Sequence, residues 1–198
     1  DIDADKEFMI TYTTLSNAIV DGAKAKSTSS NDGVLYSYLL RDNQLITADA
    51  IKVYSTELDG EYLDDMELLI PPTLANLLQS IDTEKVIFTV NKDCTLLRAI
   101  GQNVIITGAL QEGAAEYPNV VPLLAGKYPY TCEVDVKEVL RALDRLNLFV
   151  SPYDRGIIDL VFTNTNMTIS TASKSLEAIE YTKGIDLPEP FVISVNSG

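Results

Sequence analysis

The chain contains no histidine. Its absence removes Ser-His-Asp and Cys-His nucleophilic arrangements, in which an imidazole must take up and return a proton, and every zinc site that uses imidazole. Glycine is sparse, and its ten copies form neither a P-loop nor a dinucleotide phosphate cradle. Gly113 and Gly126 instead fall among Pro118, Pro122 and Pro129, in a stretch that reads as a connector. Cysteine is limited to Cys94 and Cys132, each inside a strand-like apolar run, so two buried free thiols are expected and no disulfide framework. No apolar run approaches the roughly 18 residues that span a bilayer, and no basic, apolar and small-residue leader opens the chain. The expectation is a cytoplasmic protein with no membrane contact, no cofactor and no metal.

What is present is apolar and periodic. At 46% hydrophobic residues the 198-residue chain can bury a core in each of one or two domains. Four segments, about sixty residues apart, alternate apolar and polar and then meet a polar or proline turn. They are Glu7 to Tyr12, Met66 to Pro71, Tyr130 to Asp135 and Phe191 to Asn196. After each of the first three, an amphipathic helix and further strands follow. A unit that recurs at fixed period rarely covers its own apolar face and is stacked on its neighbours.

In the first unit a helix is expected from Thr13 or Thr14 to about Lys26, with Leu15, Ile19, Val20 and Ala23 inward. Strands are expected at Val34 to Leu40, Leu45 to Thr47 and Ile51 to Leu58. In the second, Pro71 and Pro72 open a helix with Leu74, Leu77, Leu78 and Ile81 inward, and strands follow at 86–90, 95–100 and 103–110. In the third, Asp135 caps a helix with Glu138 at its third position, and Val136, Val139, Leu140, Leu143 and Leu146 turn inward. Its strands are expected at 157–162, 167–171 and 176–181. The fold class is α+β, built of βαβββ units with antiparallel sheets and helices on one face. The fourth unit has barely begun at Gly198, so the expectation is a partner or a further C-terminal portion to cover the open edge.

Candidate chemistry is thin. Asp1, Asp3 and Asp5 imitate a calcium loop, but Lys6 stands where glycine must turn the chain and Tyr12 where a bidentate glutamate must close it. Asp59, Glu61, Asp64, Asp65 and Glu67 could pair for acid and base work, yet such a run on a connector reads as a solvated one. No catalytic residue is assigned. The basic residues carry more, because Lys137, Arg141 and Arg145 recur at i, i+4 and i+8, and Lys24 and Lys26 end the first helix. One reading is a solvated helix face, and the other a set of phosphate contacts that follow a DNA backbone without reading bases. The net charge of −14 argues against the usual basic footprint of DNA-binding proteins. A protein that only encircles DNA, however, needs a mildly positive lining and gains from an acidic exterior.

Several motifs, in order, carry a more specific likeness. Leu69-Ile70-Pro71 leads to Leu74, Leu77 and Leu78; Asn103-Val104-Ile105 and the run Gly113 to Pro122 follow; then come Asp135 to Phe149, Arg155-Gly156-Ile157 and Met167 to Thr171. Together they resemble the bacterial DNA polymerase III β subunit, the sliding clamp, over its middle domain and the first half of its last. Gly113 to Pro122 is similar to that family's Gly-x-Phe-Pro-Asp-Tyr-x-x-Val-hydrophobic-Pro segment.

The resemblance implies a DNA-clamp fold, with residues 1–126 a complete domain of two repeats and 127–198 the first half of another. It implies a non-catalytic processivity factor. The full-length parent would be a homodimeric ring around duplex DNA, binding DNA polymerase and clamp-loader peptides in a groove, while this chain alone would not close a ring. Lys24, Lys26, Lys137, Arg141 and Arg145 would face DNA, and Leu35, Ala50, Lys52, Val53, Asn119, Val120 and Asn196 would form the groove. Departures from the family bear on that groove: Ala48 to Val53 lacks its Gly and His and has Lys for Arg, Ala114-Ala115 stand for Phe-Pro, and Asn119 removes a charge. The rival reading is a clamp-like protein-protein interaction module that never binds DNA.

Overall fold

The computed structural model describes residues 4–61, 66–81, 83–128, 130–148, 157–164, 166–171, 176–180, 187 and 189–196. The chain divides into two compact units, 1–124 and 125–198.

The first unit starts with β1 (Ala4–Thr11) and α1 (Tyr12–Gly22), then a 3-10 turn (Ser30–Tyr36) and the meander β2 (Tyr38–Arg41), β3 (Gln44–Ala48) and β4 (Val53–Glu57). A two-residue β5 (Gly60–Glu61) precedes the second repeat: β6 (Glu67–Ile70), α2 (Pro72–Leu78), β7 (Lys85–Asn91), β8 (Leu96–Ile100) and β9 (Ile105–Ala109). A 3-10 turn (Ala114–Glu116) and the short α3 (Val121–Leu124) close it.

The two repeats exchange their leading strands. β1 pairs antiparallel with β7 of the second repeat, Phe8 opposite Phe88, and β6 pairs with β2 of the first, Leu39 opposite Leu69. The resulting sheets run β5-β1-β7-β8-β9 and β4-β3-β2-β6. Alternation puts Phe8 and Ile10 inward from β1, where the Phe8 ring stacks on Phe88 with centroids 4.9 Å apart. Leu15, Ala18 and Ile19 of α1, and Leu74, Ala75 and Leu78 of α2, fill the same core. The helices are tied as well, since the Tyr12 hydroxyl donates to the Gln79 carbonyl at 2.7 Å.

Local chemistry sets the ends of these elements. Pro71 precedes α2 in extended conformation and Pro72 takes its first turn, where a missing N–H costs nothing. The β2–β3 hairpin turns on Asp42 and Asn43, both at positive φ, as a two-residue hairpin requires. Gly22 lets α1 approach β3 closely: a Cβ there would lie 3.2 Å from both Leu45 and Thr47, and the Thr47 hydroxyl donates to the Gly22 carbonyl.

The second unit contains α4 (Val136–Asn147), β10 (Ile157–Phe162), β11 (Asn166–Thr171), β12 (Leu176–Glu180) and β13 (Phe191–Asn196), in sheet order β12-β11-β10-β13. The β13 strand, fourth of the recurring segments, closes the meander of the preceding repeat by pairing with β10, Leu160 opposite Ile193. Asp135 caps α4, its Oδ1 accepting from the backbone N–H of Lys137 and of Glu138.

The structure corrects several expectations. Helix α1 ends at Gly22, not near Lys26. Val34 to Tyr36 is 3-10 turn rather than strand, because Ser29 caps it and Gly33 reverses it at positive φ. Ile51 lies in a turn held by Asp49, and β4 starts at Val53. Tyr130 to Asp135, unlike the other three leading segments, is not a strand; Glu133 alone makes a β-bridge. Val20, Leu77, Val136 and Leu140, expected inward, are exposed, whereas Ala18, Ala75 and Ala142 are buried. Small residues take the points of closest approach between helix and sheet. Neither thiol is inside a strand: half-buried Cys94 sits at positive φ in the β7–β8 turn, and half-buried Cys132 precedes α4, burial raising its pKa. The stretch 112–124 is not simple linker, since it returns Tyr117 and Val120 to the first unit.

Candidate functional site

Leu39-Leu40, Leu45-Ile46 and Leu68-Leu69-Ile70 are runs without alternation, the mark of strands buried on both faces. One face of the sheet β4-β3-β2-β6 presents Leu40, Leu45, Leu68 and Ile70 to the main core. The other presents Leu39, Ile46, Ala48 and Leu69, with Leu39 paired to both Ile46 and Leu69. Tyr117 and Val120, only 3% and 5% exposed, pack on that second face, joined at its margin by half-buried Val34, Leu35, Val53 and Ala114.

Two polar clasps hold this cover down. Gln111 donates its backbone N–H to the Leu69 carbonyl, accepts from the Ser37 hydroxyl at 2.5 Å, and donates from Nε2 to the Gly33 carbonyl at 3.2 Å. Arg41 donates from Nη2 to the Ala114 carbonyl at 3.2 Å, and its Nε lies 2.8 Å from Glu67 Oε1, an ion pair too bent to be an aligned hydrogen bond. Gly113 turns the chain at φ 93, where a Cβ would stand 3.2 Å from Val34. The Tyr117 hydroxyl points toward the Ala48 backbone without ordinary hydrogen-bond geometry, and burial pushes its pKa up to about 12.

Among the residues assigned to a groove, Leu35, Val53 and Val120 therefore meet at one apolar face. Ala50, Lys52 and Asn119 are exposed. The turn carrying Ala50 is fixed by Asp49, whose Oδ1 accepts from the N–H of Ile51 and of Lys52, holding its carboxyl below the usual range. Lys52 lies 3.3 Å from Asp49 Oδ2 and also donates to the Lys24 carbonyl. Asn196 belongs to the second unit, its backbone opposite Ile157 in the β10–β13 ladder. Sequence reasoning missed Tyr117, Gln111 and Arg41; the two-sided apolar strands were the available signal that this face needed a cover.

The cations divide differently. Lys24 is ion-paired to Asp21 at 2.7 Å, chiefly through a hydrogen bond that raises its pKa. Lys26 sits 4.6 Å from the Tyr36 ring centroid and donates to the Ser27 carbonyl, and burial lowers its pKa. On α4, Lys137, Arg141 and Arg145 are exposed, with Glu138 and Asp144 interspersed, while Ala142 and Leu146 face inward. Of the carboxylates, Asp59 accepts from the Thr11 hydroxyl and Glu61 lies 3.4 Å from Lys85; Asp64 and Asp65 fall outside the described residues, as do Asp1 and Asp3. Among the described residues no cluster of three or more metal-ligating side chains occurs, and no helix is long and apolar enough to cross a membrane.

No protein-family model matches the chain. No curated protein matches it by sequence. Solved structures do match, each over the whole chain: a DNA polymerase III subunit β from Borrelia burgdorferi at TM-score 0.83 and 16% identity, and a DNA polymerase sliding clamp from Bacillus subtilis at 0.79 and 21%. A DNA polymerase III β subunit from Eubacterium rectale matches at TM-score 0.79 and 18% identity. The chain spans 54%, 54% and 55% of those three proteins. Interlocked repeats, antiparallel sheets and paired helices thus give this chain the fold of the bacterial DNA polymerase III β subunits, the sliding clamps, over about half the length of those proteins.

Proposed function

We propose that the chain is part of a sliding clamp, a non-catalytic cytoplasmic processivity factor whose homodimeric parent encircles duplex DNA and tethers DNA polymerase and clamp-loader peptides. The supporting observation is that the whole chain follows clamp folds at TM-scores of 0.79 to 0.83. In this reading residues 1–126 form one complete clamp domain, and 127–198 open another. Lys137, Arg141 and Arg145 follow phosphates without reading bases. The apolar face around Leu35, Val53 and Val120, rimmed by Ala50, Lys52 and Asn119, takes a short apolar peptide segment.

A second reading has its own support. Lys24 and Lys26 are committed to Asp21 and Tyr36, and α2 carries no charge at all, so the helices of the first unit offer a phosphate backbone little. That favours a clamp-like module that binds a protein and never DNA.

Retention of the full-length gene product on nicked circular DNA, read as a function of salt, separates the two. The first reading expects retention that falls in a Lys137→Glu, Arg141→Glu, Arg145→Glu variant, with the logarithmic salt slope reduced by about 3 per protomer. Retention that is unaltered in the triple variant would remove these residues from the DNA-facing surface. No retention of the wild-type protein would favour the second reading.

A further inference from the structure

We propose that the segment docking on the apolar face of the first unit is flanked by lysine or arginine rather than by acidic residues, an inference that rests on reading that face as a peptide site. The rim offers little free positive charge. Lys52 is held by Asp49 and by the Lys24 carbonyl, Lys26 lies on Tyr36, and Arg41 is turned inward onto Glu67 and the Ala114 carbonyl. Two carboxylates stand opposite. Glu112 and Glu116 are exposed, border the segment that carries Ala114, Tyr117 and Val120, and enter no ion pair among the described residues.

Gly113 brings one of them to the apolar margin. A Cβ placed on Gly113 would lie 3.2 Å from Val34 and 3.5 Å from Glu116 Oε2, so the carboxylate flanks the same margin as the Val34 methyls. Ile51, Val121 and Leu123, close in sequence to Val53 and Val120, are exposed apolar residues. An apolar core with basic flanks satisfies both features, and an acidic flank would meet like charge.

The test uses the whole chain and two fluorescent peptides with the same Leu-Ala-Leu-Ala-Leu core, one flanked by Lys-Lys on each side and one by Glu-Glu, read by anisotropy. At low ionic strength the Lys-flanked peptide should bind about three- to tenfold more tightly, and the preference should fade toward 0.5 M salt. A Glu112→Gln, Glu116→Gln variant should lose the preference while still binding through the core, and Val53→Glu should weaken both peptides. Equal binding, or tighter binding of the Glu-flanked peptide, would overturn the charge inference and leave the docking face standing. A preference that survives in the double Gln variant would assign it to the acidic chain at large, and likewise overturn the proposal. Binding of neither peptide to the wild-type chain would overturn the docking face itself, and this inference with it. Circular dichroism of each variant shows that the fold is retained.

Discussion

The two units solve one problem to different degrees. In the first, two βαβββ repeats exchange leading strands, so each meander is closed by a strand from elsewhere in sequence and two helices share one core. In the second, among the described residues, one meander is closed by β13 and covered by α4, with Ala142, Leu146, Ile158, Met167 and Ile169 buried between them. Val134, Val139, Leu143, Leu160 and Phe162 pack half-buried against this core, while Val136 is 66% exposed, Leu140 55% and Val192 58%. The comparison teaches that the pair of repeats, more than the single repeat, is the unit that buries an apolar face.

The largest expected effect separates the units by stability. Phe88→Ala removes a fully buried ring stacked on Phe8 across the exchanged strands and should cost about 3–5 kcal/mol. Because β1 and β7 come from different repeats, both repeats of the first unit should unfold together in denaturant, while the second unit keeps its own transition. Ile169→Ala should do the converse at about 2–5 kcal/mol. Separate melting of the two repeats within the first unit would break the comparison.

A smaller effect reads the cover of the first unit through pH. Burial holds the Tyr117 phenol neutral, with its pKa pushed up to about 12 from an ordinary value near 10. The stability it supports is present in full below pH 10 and is lost as the pH climbs from there to about 12, because the unfolded chain releases that proton first. Tyr117 contributes up to about 2–3 kcal/mol of this loss, confined to the first unit, and that share is absent in Tyr117→Phe, while Tyr38, whose phenol pKa burial also raises, keeps its own. Chemical denaturation at pH 9 and pH 12 measures it; equal alkaline loss in the Phe variant would assign the effect to other groups.

The smallest acts on α4. Asp135→Ala leaves two backbone N–H groups without their cap and should cost about 1 kcal/mol, seen in the transition of the second unit alone. Asp135→Ser should restore most of it.

Much of this was legible in the chain itself. The alternation of Glu7 to Tyr12 and Phe191 to Asn196, the prolines at Pro71 and Pro72, and Asp135 ahead of an apolar stripe are local signals, and β10 matches its expected span of 157–162. The 3-10 turn at Val34 to Tyr36 was not legible, because β-branched and aromatic residues favour strand locally and only the reversal at Gly33 overrides them. The candidate site divides along the same line. Leu35, Val53 and Val120 were carried over by position from the family resemblance, but Tyr117, Gln111 and Arg41 act through partners up to 78 positions away, which no local pattern reveals.

The sequence by itself determined the period, the types of most elements, the N-terminal cap of α4 and the exclusion of imidazole chemistry, since each follows from a residue and its near neighbours. Only the tertiary structure decided which meander each leading strand closes, how Lys24, Lys26 and Arg41 are engaged and which face of a doubly apolar sheet is left for a cover. Those outcomes depend on groups far apart in sequence satisfying one another's hydrogen bonds and excluded surface, and that matching exists only once the repeats have interlocked.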